Sequence, residues 1–226
     1  MPFVNSLLFF FLGFAYLLLL IWGMILSKKY GLLNLYNLLF LVIIGLVYDN
    51  FIIALGREIG EGNTLENLSY LRFWLHALFT PTLILSALYI CQEFGFIWAK
   101  KTFWRTVFSL LTIGLIFYEL LTSVKGLELE SVWRNGVLTY EPSGDSNSPI
   151  MVGAVTLVLI FIGLIFLKKF HFPWFFISTI LIILGGISQI WLKNFPIMNI
   201  LEFLLVASLL LTKQFQVHHR PSKTMT

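Results

Sequence analysis

The sequence predicts an all-α integral membrane protein: a seven-transmembrane-helix bundle with its N-terminus outside and its C-terminus cytoplasmic. Three observations carry this. Of 226 residues, 58% are hydrophobic and only 12% are charged, with a mean hydropathy of +0.89. A soluble domain carries about 25% charged residues, so a surface of this composition needs lipid as its solvent. Apolar residues also form continuous runs, such as "LLFFFLGFAYLLLLIWGMIL" and "MVGAVTLVLIFIGLIFL". These run to about 17–25 residues, the length a helix needs to cross a hydrocarbon core roughly 30 Å thick. Barrel strands would alternate apolar and polar side chains instead. Finally, Lys and Arg collect in every second connection.

The runs place spans at 6–27, 32–55, 66–92, 103–123, 150–167, 173–192 and 196–212, in one membrane domain covering 1–212. A basic cytoplasmic tail, 213–226, follows. The first span lacks a basic leading region and has too long an apolar stretch for a cleaved signal peptide. Lys28 and Lys29 follow span 1. Lys100, Lys101 and Arg105 lie around the start of span 4, Lys168 and Lys169 between spans 5 and 6, and Lys213, Arg220 and Lys223 in the tail. These are ten of the 15 basic residues. The alternate connections are acidic on balance, with Glu58, Glu61 and Glu66 against Arg57, then Glu128, Glu130, Glu141 and Asp145 against Lys125 and Arg134, and Lys193 is the other exception. The positive-inside rule then orients the bundle. The expected membrane is the plasma (inner) membrane if the protein is bacterial.

Two connections have internal features. "GREIGEGNTLENLS" contains three glycines, and Asn63 with Glu66 has capping-box spacing for the start of span 3. The longest loop, 124–149, carries turn-forming Gly, Pro, Ser and Asn, with a short strand expected over Val137 to Tyr140. Beyond the last span, "QVHHRPSKTMT" reads as an unstructured tail.

Ionisable groups in hydrocarbon are expensive and usually face a bundle interior. Asp49 lies roughly 9 Å below the outer rim of span 2, and Arg72 and His76 lie roughly 9 and 15 Å down span 3. Glu119 and Gln189 sit near the outer ends of spans 4 and 6, and Glu202 lies roughly 9 Å inward from Pro196. All six belong to the outer half. The inner half shows only Gln92 and Glu93, at its rim. Convergence of the six would form a polar chamber open to the outer face. Arg72 and His76, spaced i, i+4, share one helix face with Ser69, and Trp74 points away. Pro81 frees a backbone carbonyl and can kink the span below His76.

One cysteine, Cys91, leaves no internal disulfide and no multi-cysteine metal site, and reads as a small buried side chain. His76 is the only histidine within a span, too few for a three-histidine zinc centre. Neither a metal nor a cofactor is expected. No P-loop, GxSxG or dinucleotide fingerprint is present, and no nucleic-acid partner is expected.

The span count resembles that of the rhodopsins, but the mid-span retinal lysine has no counterpart in "PIMNILEFLLVASLLLTK", where Lys213 lies at the inner end. It also resembles seven-span ceramidase-type zinc amidases, whose histidine set this chain lacks. In architecture alone it is similar to small seven-span terpene cyclases. That likeness implies acidic residues such as Asp49, Glu119 and Glu202 protonating an alkene or epoxide.

The expected function is binding, sensing or transport of a lipid-like or small amphipathic ligand in the chamber. The ligand-binding set would be Asp49, Arg72, His76, Glu119, Gln189 and Glu202. In the enzymatic alternative, acid/base chemistry on a lipid or isoprenoid, Asp49 or Glu202 is the acid or base. Arg72 would then anchor an anionic head group and His76 would transfer a proton. A second alternative is a structural subunit whose polar residues bind a partner's helices.

Overall fold

Long apolar runs without interior proline can satisfy every backbone hydrogen bond internally, which is what lipid demands. In a computed structural model of the chain they do so. The structure describes residues 3–28, 35–134, 136–143, 150–188 and 196–219. Helix α1 spans Phe3–Lys28. A 3-10 turn, Leu35–Asn37, leads into α2, Leu38–Ile59, which ends at Gly60 with φ +83°. Helix α3 covers Asn63–Phe79. A 3-10 turn at Thr80–Thr82, containing Pro81, joins it to α4, Leu83–Glu93. The single-turn α5, Ile97–Lys100, precedes α6, Thr102–Glu119. Helix α6 continues as a π turn over Leu120–Val124.

Two strands follow, β1 (Leu129–Arg134) and β2 (Val137–Pro142), paired antiparallel with Ser131 opposite Tyr140. Then come α7 (Ile150–Phe170), α8 (Trp174–Ser188) and α9 (Ile197–His219).

Among the described residues, six helical segments are long and apolar enough to cross a membrane, which makes the chain a multi-pass helical bundle. The described part of α8 has 15 residues, about 22 Å at 1.5 Å per residue. The end expected for that span, and the Gln189 assigned to it, lie outside the described residues.

Three local expectations change. The start of α3 is not a capping box: Gly62, with φ +147°, is the N-cap, and no side chain caps the helix. Asn63 is already helical there, and Glu66 N–H bonds the Gly62 carbonyl at 3.1 Å. The expected strand at Val137 is real but belongs to a hairpin, whose first strand has too mixed a burial pattern to signal itself. Helix α9 passes its expected end at 212 and runs to His219. Lys213 and Gln216 are therefore buried. Lys213 Nζ lies 5.1 and 5.6 Å from the centroids of Tyr36 and Tyr89, and Gln216 donates to Glu93 at 3.3 Å. The end of the bundle away from the hairpin thus carries more buried polarity than Gln92 and Glu93 alone.

The core runs the length of the bundle through Tyr16, Leu39, Ile84, Leu88, Phe166 and Leu209. Cys91 is buried within it. The hairpin docks on α1, α2 and α3. Gly56 permits this, because a Cβ there would meet the backbone carbonyl of Leu138. Tyr140 accepts the Gly62 N–H at 3.1 Å, and Tyr70 donates to the Leu127 carbonyl at 2.6 Å. A loop that sequence patterning left nearly formless is therefore bolted to the helix ends beside the polar residues.

Candidate functional site

Helices α2 and α3 pack together, which brings Asp49 to Arg72. The Arg72 Nε donates to Asp49 Oδ1 at 2.7 Å, and Nη1 donates to Thr139 Oγ1 of β2 at 2.8 Å. The arginine side chain is 12% exposed and the aspartate 25%. A charge removed from water this far needs a partner with good geometry, and the fixed fork of a guanidinium serves two acceptors at once. The pair therefore ties two spans and the hairpin together. It also occupies two of the donors that an anionic head group would have required.

His76 lies one turn further along the same face of α3. Its Nδ1 is 3.2 Å from the Thr80 hydroxyl in the 3-10 turn. Pro81 in this turn cannot donate to the helix ladder, and the span changes neighbours here. Before the turn α3 packs on α2, α6 and the hairpin; after it α4 packs on α2, α6, α7 and α9. At this change of partners lies a cavity of about 60 Å³ bounded by α2, α3, α4, α7, α8 and α9. Four polar side chains line it, His76, Thr80, Thr156 and Glu202, among ten that are aliphatic or methionine. His76 is also exposed at the surface of the bundle, so the cavity meets the exterior beside its imidazole.

Glu202, in the second turn of α9, also lines the cavity. Among the described residues, no hydrogen-bond donor or cation contacts its carboxyl group. Asp49 does not line the cavity. Tyr16 donates to the Asn199 carbonyl at 3.3 Å, fixing α1 against the start of α9.

The six residues singled out from the sequence thus divide. Asp49 and Arg72 form an ion pair, and His76 and Glu202 line one cavity. Glu119 stands apart at the end of α6, buried and hydrogen-bonded to Ser123, with Oε2 unpartnered among the described residues. Gln189 is outside the described residues. Among those residues, no three His, Cys, Asp or Glu side chains gather to hold a metal.

Sequence reasoning missed Thr80, Thr156 and Thr139. Thr80 was legible in principle, since it follows His76 at i+4 on one face. Thr156 is a lone hydroxyl in an apolar run, which commonly serves its own helix backbone. Thr139 gave no signal, because its contact with Arg72 spans 67 residues.

No model of a protein family matches this chain, and comparison with curated proteins and with solved structures finds no match to either.

Proposed function

We propose that the chain binds a lipid-like or small amphipathic ligand at an outward-facing chamber, as a binding, sensing or transport protein. The supporting observation is the meeting of His76 and Glu202, from two different spans, in one largely aliphatic cavity. Ligand sites have this form: apolar walls with a few convergent polar groups that orient the guest. The cavity holds about 60 Å³, well below the roughly 300–1,000 Å³ of sites that enclose a whole drug-sized ligand. It suits one end of an amphiphile whose remainder stays in the hydrocarbon. In this reading Asp49 and Arg72 are supports of the chamber rather than ligand contacts.

A second reading has a specific observation in its favour. An imidazole and a carboxyl facing one cavity are a proton donor and acceptor pair, which suits acid/base chemistry on a lipid or isoprenoid. Comparing the lipids of cells with and without the gene separates the two. An enzyme leaves a substrate that accumulates and a product that disappears. A binding protein leaves bulk lipid composition unchanged. A change in neither, together with loss of a membrane complex on deletion, would support the structural-subunit alternative.

The chamber faces outward if the span expected over 173–192 is a seventh crossing and the basic connections lie in the cytoplasm. In that threading the hairpin is external. A Ser143→Cys variant, whose only other cysteine is the buried Cys91, is then expected to react with a membrane-impermeant maleimide in intact cells. Labelling that requires permeabilisation of the membrane would reverse the orientation.

A further inference from the structure

We infer that the amphiphile carries a primary ammonium group on an alkyl chain, received by the Glu202 carboxylate with His76 and the cavity threonines as further acceptors. The inference rests on the reading of this cavity as a ligand site, and it names the chemistry of the guest. Three features carry it.

The first is charge. Arg72 is held by Asp49 at 2.7 Å and by Thr139 at 2.8 Å, so among the described residues this cation is already matched. Glu202 faces the cavity with no cation or donor on it among the described residues. A carboxyl in so apolar a setting ionises only when a cation is beside it, so a guest that completes this group as an ion pair is an ammonium rather than a phosphate or carboxylate.

The second is the donor and acceptor pattern. A primary ammonium has three N–H donors and no acceptor. Glu202 supplies carboxylate oxygens, and Thr80 and Thr156 supply hydroxyls. In the tautomer in which His76 Nδ1–H donates to Thr80, Nε2 keeps its lone pair for the guest. One carboxylate with several neutral acceptors complements a single three-donor cation.

The third is size and wall chemistry. Quaternary ammonium groups are recognised by aromatic cages, and among the described residues no Phe, Tyr or Trp lines this cavity. Its volume of about 60 Å³ admits a compact –CH2–NH3+ terminus. The exposed edge of His76 leaves the way out for the tail.

The test uses full-length protein in detergent, with adducts quantified by native mass spectrometry. Four probes share a ten-carbon chain: decylamine, decyltrimethylammonium, decanol and decyl phosphate. Decylamine is expected to bind at least about tenfold more tightly than the other three, the worth of one hydrogen bond to a charged group. Glu202→Gln, which keeps the shape, is expected to remove that preference. Retention of the preference in Glu202→Gln overturns the inference, as does equal or tighter binding of decyltrimethylammonium or decyl phosphate by the wild type. The wild-type series stands alone if the variant fails to fold. Decanol binding equal to that of decylamine overturns the ammonium inference and leaves the chamber reading intact. Failure of all four probes to bind overturns both.

Discussion

Asp49→Ala is expected to destabilise the folded protein by about 3 kcal/mol, the low end of the 3–5 kcal/mol seen when one member of a buried ion pair is removed. The low end applies because the aspartate side chain keeps a quarter of its exposure. The loss comes from what remains. Arg72 would keep its charge at a site 12% exposed, with only the Thr139 hydroxyl to receive it. Long side chains can snorkel toward the membrane rim, but doing so would break the Thr139 bond and loosen the hairpin. The double variant Asp49→Leu, Arg72→Met removes both charges and is expected to be more stable than Asp49→Ala, since apolar replacement of a whole buried pair is often neutral. Thermal unfolding in detergent measures all three proteins. A wild-type melting temperature for Asp49→Ala would mean that the pair does not hold α2, α3 and the hairpin together.

Much of this architecture was legible in the sequence because lipid imposes a simple rule. A long apolar run has few alternatives to a helix, and the helices α1, α6 and α7 follow the expected spans closely at both ends. The ion pair was legible for a related reason: a charge at that depth must find a partner, and Asp49 was among the few at its level. What failed depends on contacts distant in the chain. The docking of β2 needs a bare backbone at Gly56 to receive Leu138, a relation that neither residue announces. The extension of α9 was hidden because Lys213 and Gln216 look like solvent-facing residues. Tyr36 and Tyr89 bury the lysine by stacking against its ammonium. Depth alone grouped Glu119 with the chamber, yet depth carries no information about which way a helix face turns. His76 and Glu202 meet in the cavity beside the 3-10 turn around Pro81 that separates α3 from α4, and the sequence located that proline without showing what would gather next to it.

The account depends most on His76. Its ring faces a cavity and the bundle surface rather than a packed core, so His76→Ala removes little packing. Among the described residues, its one bond to a side chain is the 3.2 Å contact with Thr80, one turn away on the same span. Stability is therefore expected to change by no more than about 0.5–1 kcal/mol. Ligand occupancy is expected to fall about tenfold or more, because the imidazole is one of four polar groups in an otherwise aliphatic site. The direct measurement is the amount of lipid that co-purifies with wild-type protein and with His76→Ala, each counted per folded molecule at matched melting temperature. A specific amphiphile is expected on the wild type and is expected to be largely lost from the variant while folding is retained. Equal occupancy in the two proteins, or a variant that loses folded yield while each folded molecule keeps its lipid, would contradict it and make His76 a structural residue.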